Sequence, residues 1–218
     1  MGSLKGPVGG SKMSISRIIL LTSEADAPIL VDVLHRHNSA IDVIPVATLE
    51  ALHGAFAHLP PITRLLSFCS PVIVPAALLA TLPSPAYNFH PGPPERPGRY
   101  PSVFALYDND ARFGVTVHEM LPRVDSGPIV TAEWFDIPTG ADLGELESLS
   151  RAYLLAVYQR MAPYMVNVTR PLPQLMYRWS GRKTSKAQCE DLCRLTPEMD
   201  ETEIARRDRA CGIFLRRS

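Results

Sequence analysis

Arg17-Ile18-Ile19-Leu20-Leu21-Thr22 sets the fold class of this chain. Four large aliphatic residues in succession, closed by a hydroxyl residue, give a short segment apolar on both faces, as a strand covered from both sides requires. Asp26 can cap a helix directly after it, with Pro28 in the first turn. The unit then repeats. Ile41-Asp42-Val43-Ile44-Pro45-Val46 predicts a second strand and 48–58 a second helix. Residues 62–68 predict a third strand, 75–82 a short helix starting at its proline, and 86–90 a fourth strand. Strands alternating with helices predict an α/β fold with a mostly parallel central sheet.

The fourth strand ends in an abrupt change of composition. Residues 91–101 hold five prolines and two glycines in eleven positions, which no regular element accommodates. A loop leaving the C-terminal end of a strand lies where ligands bind in open α/β sheets. Beyond it we expect a helix over 102–109, strands over 114–120 and 129–137, and a long helix over 142–165. In that last helix Leu143, Leu146, Leu149, Leu154, Val157 and Met161 share one face. The reading divides the chain into a flexible, tag-like leader (1–12), an α/β domain (13–168) and a short helical C-terminal tail (169–218) with helices over 186–194 and 201–211. The tail is expected to pack as a lid or an oligomer contact without carrying chemistry.

Composition excludes several classes. The 218 residues are 46% hydrophobic and 20% charged with a formal net charge of zero, so no overall field draws the chain to nucleic acid or membrane. The tail carries 11 Arg/Lys against 7 Asp/Glu, a mild excess that fits a solvated surface. The longest apolar run, Pro71 to Leu82, is too short to span a bilayer. Neither a nucleic-acid nor a membrane partner is expected. The oligomeric state is left open, a homodimer being one option. Cys189 and Cys193 stand at helical spacing without a second ligand pair, so no metal is expected; with Cys69 and Cys211 they read as reduced thiols of a cytoplasmic protein.

Asn88 and His90 are two apart in a strand and so share a face at its loop end. Asp125 lies in the turn Val124-Asp125-Ser126-Gly127-Pro128 between two strands. Taken singly, each has a plain structural reading: a turn-capping Asn, a half-buried His, an Asp at the first position of a β-turn. Thr116 and His118 alternate in a strand. Arg96 and Arg99 in the Pro/Gly loop can clamp a phosphate or carboxylate or stand as solvated cations. An amide, an imidazole and a carboxylate, with no strong nucleophile among them, suit a reaction in which the substrate brings its own nucleophile and the protein polarises a carbonyl and handles a proton.

The ordered combination Asn88-x-His90-Pro91, Gly114-x-Thr116-x-His118 and Asp125-x-Gly127-x-Ile129 resembles the core of the folate-dependent formyltransferases, the family acting on methionyl-tRNA, glycinamide ribonucleotide and amino sugars. The likeness covers about residues 60–165. It departs at 92–98, where Gly92-Pro93-Pro94-Glu95-Arg96-Pro97-Gly98 stands in place of a Ser-Leu-Leu-Pro loop, and in the first turn, Thr22-Ser23-Glu24-Ala25, which has no glycine. No large C-terminal barrel follows. The resemblance implies a Rossmann-like formyltransferase domain that moves a formyl group from 10-formyltetrahydrofolate to the amine of a small acceptor, such as an amino-sugar nucleotide.

It further implies catalytic roles for Asn88, His90 and Asp125. His90, held charged by Asp125, and Asn88 would donate to the formyl oxygen, and Asp125 would take up the amine proton. The folate would bind around Phe68, Ser70, Val72, Val74, Leu121 and Val124, and the acceptor near Arg96, Arg99, Thr116 and His118. The alternatives are a 10-formyltetrahydrofolate hydrolase and a non-catalytic folate- or nucleotide-binding module.

Overall fold

The computed structural model describes residues 15–60 and 62–217. The leader expected at 1–12 lies outside them. In chain order the elements are β1 (Arg17–Leu21), α1 (Ala27–His35), β2 (Asp42–Val46), α2 (Leu49–Phe56), β3 (Thr63–Phe68), α3 (Ala76–Thr81), β4 (Tyr87–His90), α4 (Pro101–Tyr107), β5 (Arg112–Glu119), β6 (Ile129–Asp136), α5 (Leu143–Asn167), α6 (Lys186–Leu192), β7 (Arg194–Leu195), α7 (Glu201–Cys211) and β8 (Arg216–Arg217). Six strands form one sheet in the order β2-β1-β3-β4-β5-β6. The first three pairings are parallel; β4–β5 and β5–β6 are antiparallel.

Strand alternation assigns the two faces. Ile18 and Leu20 of β1, Leu66 and Phe68 of β3, and Tyr87 and Phe89 of β4 face α1 and α5, where Leu154, Val157, Tyr158 and Ala162 complete the core. Ile19 and Leu21 of β1 and Leu65 of β3 face the opposite way, onto Leu52 of α2 and Val74. Since apolar residues sit on both faces of these central strands, their sequences read as continuous hydrophobic runs. The 25-residue α5 begins with a capping box in which Asp142 Oδ1 accepts from the Glu145 N–H and the Glu145 carboxylate accepts from the Asp142 N–H.

At its other end α5 is held by Arg64, whose side chain is fully buried on β3. Its guanidinium donates to the carbonyls of Met165 (2.9 Å), Val168 (2.6 Å) and Pro85 (3.1 Å), with no carboxylate among these acceptors. The carbonyls of Met165 and Val168 are among those that a helix C-terminus leaves without intrahelical partners, and a planar cation satisfies both.

The tail differs from its expectation in one covalent detail. Cys193 and Cys211 form a disulfide across a sequence separation of 18, which corrects the reading of these two as reduced thiols. Helix α7 packs on α4, and Cys189 and Cys193 join Cys211 in the same apolar cluster, with the Cys193 and Cys211 Cα atoms 5.5 Å apart. Cys69 and Cys189 are free. No described helix is long and apolar enough to cross a membrane.

Candidate functional site

The antiparallel step from β4 to β5 builds the site. In its register Asn88 stands opposite His118 and His90 opposite Thr116. With a side-chain period of two, these four polar residues share one sheet face, while Tyr87, Phe89, Val115 and Val117 fill the core behind them. The face lies at the C-terminal end of β4, where the Pro/Gly loop leaves the sheet.

The turn from β5 to β6 then folds back across it. Gly127 makes this return geometrically possible: a Cβ there would sit 1.8 Å from the Glu119 carbonyl oxygen. Asp125 adopts a left-handed backbone conformation (φ 43°) and is 4% exposed, with its carboxylate between the two imidazoles. Oδ1 is 3.3 Å from His118 Nε2, and Oδ2 is 3.9 Å from His90 Nδ1. The Gly98 N–H donates to Oδ2 at 2.7 Å. Asn88 Nδ2 approaches His118 Nε2 at 3.2 Å, and His118 Nδ1–H donates to the Glu119 carbonyl at 2.8 Å.

His90 Nε2 lies 3.1 Å from the Arg96 carbonyl oxygen. A carbonyl only accepts, so Nε2 carries the hydrogen and the lone pair of the neutral ring is on Nδ1, facing Asp125. Burial lowers the His90 pKa, outweighing the Asp125 charge that raises it. The ring is therefore neutral near pH 7, in contrast to the charged form expected from the sequence. Burial alone would raise the Asp125 carboxyl, but the His90 and His118 imidazoles beside it and the Gly98 N–H together hold it well below the usual carboxylate range.

These groups open into a cavity of about 470 Å³, within the range of small-molecule sites. Asn88, His90, His118 and Asp125 line it, as do Ser70, Val72, Val74, Leu121, Val124 and Arg99. Three positions expected from the sequence are elsewhere. The Phe68 ring is fully buried beside Tyr158 and Phe89, at centroid distances of 5.6 and 6.1 Å, because its strand position faces the α5 side. Thr116 is buried and donates to the Gly92 carbonyl at 2.8 Å. The Arg96 guanidinium is taken up by Asp110, at 2.9 and 2.7 Å, and by Asp108 at 2.5 Å, so it is not a free clamp for an anion.

The tail, expected to pack as a lid or an oligomer contact, contributes wall residues to the cavity. Its segment 180–184 zips onto the Pro/Gly loop through Ser180 N–H to the Pro94 carbonyl (3.0 Å), Thr184 N–H to Pro97 (3.1 Å) and Arg99 N–H to Thr184 (2.9 Å). Lys183 and Thr184 line the cavity. Trp179 packs edge-on against His118 and His90, at centroid distances of 4.9 and 5.7 Å, and its Nε1–H donates to the Gly127 carbonyl at 2.9 Å. An indole in a Pro- and Arg-rich stretch is the only sequence signal for this contact. Cys69, Tyr100 and Asp125, three of the four described non-glycine residues with positive φ, surround the same cavity. Such clustering of strained backbone is characteristic of functional sites.

No family model matches the chain. The dTDP-4-amino-4,6-dideoxyglucose formyltransferases of Mycobacterium tuberculosis and Mycobacterium bovis are each 32% identical to it over 126 residues, covering 47% of this chain and 50% of theirs. The chain spans about half the length of these curated relatives. Among solved structures, the N-formyltransferase of Helicobacter canadensis in complex with folinic acid and dTDP-3-aminofucose superposes with a TM-score of 0.69 at 17% identity, covering 94% of this chain and 84% of that one. A sugar N-formyltransferase from Shewanella gives 0.71 at 15% identity, covering 89% and 87%. The sheet, its antiparallel edge and the helical layers of this chain are the fold of the sugar N-formyltransferases.

Proposed function

We propose that this chain transfers a formyl group from 10-formyltetrahydrofolate to the amine of a small acceptor, a nucleotide-linked amino sugar being the class its relatives suggest. One observation carries the reading: Asn88, His90, His118 and Asp125 converge on the floor of a single cavity, and among the described residues neither imidazole is hydrogen-bonded to a serine or cysteine that it could activate as a nucleophile. The attacking group must then come from a substrate. A cytoplasmic enzyme acting on soluble metabolites is part of the same proposal.

The folate derivative supplies an activated formyl carbon. Its proposed seat is the wall formed by Ser70, Val72, Val74, Leu121 and Val124, apolar enough for a ring system and edged with backbone polar groups. Asn88 keeps one amide hydrogen on His118 Nε2 and has a second for the formyl oxygen as negative charge develops there. His90 accepts the amine proton at Nδ1, the nitrogen its tautomer leaves free. Asp125 stays ionised and stabilises the resulting imidazolium across the 3.9 Å gap. Nδ1–H then becomes the acid that protonates the departing nitrogen. The basic side chains Arg99, Lys183 and Lys186 at the cavity wall fit the anionic portion of either substrate.

The test is incubation of the full chain with 10-formyltetrahydrofolate and dTDP-4-amino-4,6-dideoxyglucose, followed by mass spectrometry. The expected product is an N-formylated sugar nucleotide with release of tetrahydrofolate. Formate release without dependence on any amine would replace this reading by a hydrolase, and folate binding without turnover by a binding module.

A further inference from the structure

Among the described residues His90 Nε2 has one hydrogen-bond partner, the carbonyl oxygen of Arg96 at 3.1 Å, and the Arg96 side chain is itself anchored at three points by Asp108 and Asp110. The two contacts belong to one residue, so whatever holds the guanidinium also holds the carbonyl. The chain around it is stiff. The Arg96 N–H closes a turn onto the Pro93 carbonyl at 2.9 Å, Pro94 lies inside that turn, and Pro97 follows and confines Arg96 to extended ψ. Gly92 lets the loop pass beside the ring, since a Cβ there would stand 2.7 Å from His90 Nε2. Asp108 is the C-cap of α4 and Asp110 donates its N–H to the Ala105 carbonyl, so both anchors belong to a rigid element.

We infer that Arg96 is a positioning residue of the proposed reaction: its ion pairs with Asp108 and Asp110 lock the loop so that its backbone carbonyl fixes His90 as the Nε2–H tautomer and turns Nδ1 toward the cavity. The inference rests on the proposal that His90 is the base. A planar guanidinium bridging two carboxylates resists rotation in a way that one ammonium on one carboxylate does not. The sequence pattern Arg96…Asp108-x-Asp110 thus belongs to the catalytic apparatus without touching substrate.

The experiment has two arms. Long-range ¹H–¹⁵N NMR of the full chain, without substrate, reports the tautomer of each histidine. Wild-type His90 should show a single Nε2–H form, and Arg96→Gln or Asp110→Asn should give mixed tautomers. In the formyl-transfer assay the same variants should lose about 10–100-fold in turnover with little change in KM, and Asp110→Glu, which keeps the ion pair, should recover most of the loss. A wild-type His90 protonated at Nδ1 overturns the inference. So does an Arg96→Gln protein that keeps both the single tautomer and the wild-type rate. Should Arg96→Gln not fold, Asp108→Asn, which removes the more exposed anchor, is read in the same way. The NMR arm needs no turnover, so it stands apart from any failure of the formyltransferase reading.

Discussion

Asn88 and His118 face each other directly across the β4–β5 pair, with 3.2 Å between the amide nitrogen and the imidazole. They are 30 residues apart in sequence and are brought together by the antiparallel pairing of β5 with β4, the first of the sheet's two antiparallel steps. His118 accepts from one amide hydrogen and fixes the plane of the side chain, leaving the other hydrogen for a ligand. Asn88→Ala should therefore lower turnover by about 10²–10³, the usual loss for one oxyanion donor, and His118→Ala, acting through Asn88, by less. Steady-state kinetics on the two variants check the order; equal or reversed losses would show that Asn88 is not the donor.

The pH dependence follows from the lowered His90 pKa. A base that must be neutral is active above its pKa, so the acid limb of the rate profile should lie below pH 6.5, the ordinary histidine value. The same shift bears on stability. A histidine with a depressed folded pKa takes up its proton more readily when unfolded, so the His90 contribution turns unfavourable as pH falls below about 6.5. Asp125 has the opposite origin: its depressed pKa stabilises the fold above the unfolded carboxylate value, and that contribution is lost as pH falls through the folded pKa. Asp125→Asn removes the charge that raises His90, so it should move the acid limb to still lower pH while reducing turnover. An acid limb above pH 6.5 in the wild type would exclude His90 as a neutral base.

Much of this was readable from the residues. β1 to β4 and their helices fall within a residue or two of the hydrophobic runs, because strands covered on both faces leave an unambiguous apolar block. Asn88 and His90 share a face by simple alternation. The pairing of β5 with β4 was not readable: Gly114 to Met120 alternates as any strand does, and nothing local says which neighbour it takes or in which direction. Phe68 fell on the wrong side because every residue of β3 is buried, so burial gives no facing. Arg96 looked like a free cation because its partners lie 12 and 14 residues on, beyond a helix. The disulfide and the Trp179 contact depend on how the tail returns to the sheet, which no spacing encodes.

Arg64 offers a test of the frame itself. Truncating it leaves the buried carbonyl of Met165 and the part-buried carbonyls of Val168 and Pro85 without this donor, a fully buried one costing about 1–3 kcal/mol and the others less. Arg64→Ala should destabilise the chain by about 3 kcal/mol, measured by urea unfolding. Arg64→Lys should be intermediate, since an ammonium cannot reproduce the fork. A loss under about 1 kcal/mol for Arg64→Ala would mean that α5 ends without needing this cap.

Gly127 ties local backbone to the site. A methyl group at 1.8 Å from the Glu119 carbonyl forces the 120–128 turn to shift, and Asp125 shifts with it. Gly127→Ala should cost about 1–3 kcal/mol and lower turnover more than 10-fold even where the protein stays folded. Retained activity in a stable Gly127→Ala protein would show that the Asp125 carboxylate does not need its present position.

Trp179 gives the sharpest contrast with Asp125. Its indole covers the edges of His90 and His118, and burial is the leading cause of the lowered His90 pKa. Trp179→Ala admits water, so the His90 pKa should rise toward 6.5 and the acid limb should move up, the reverse of Asp125→Asn. Trp179→Phe, which keeps the cover and loses the Nε1–H bond to Gly127, should hold the limb near its wild-type position and affect stability by about 0.5–1.5 kcal/mol. If Trp179→Ala leaves the limb unmoved, the tail is no more than a strap on the Pro/Gly loop, and the desolvation of His90 comes from the sheet and the loop alone.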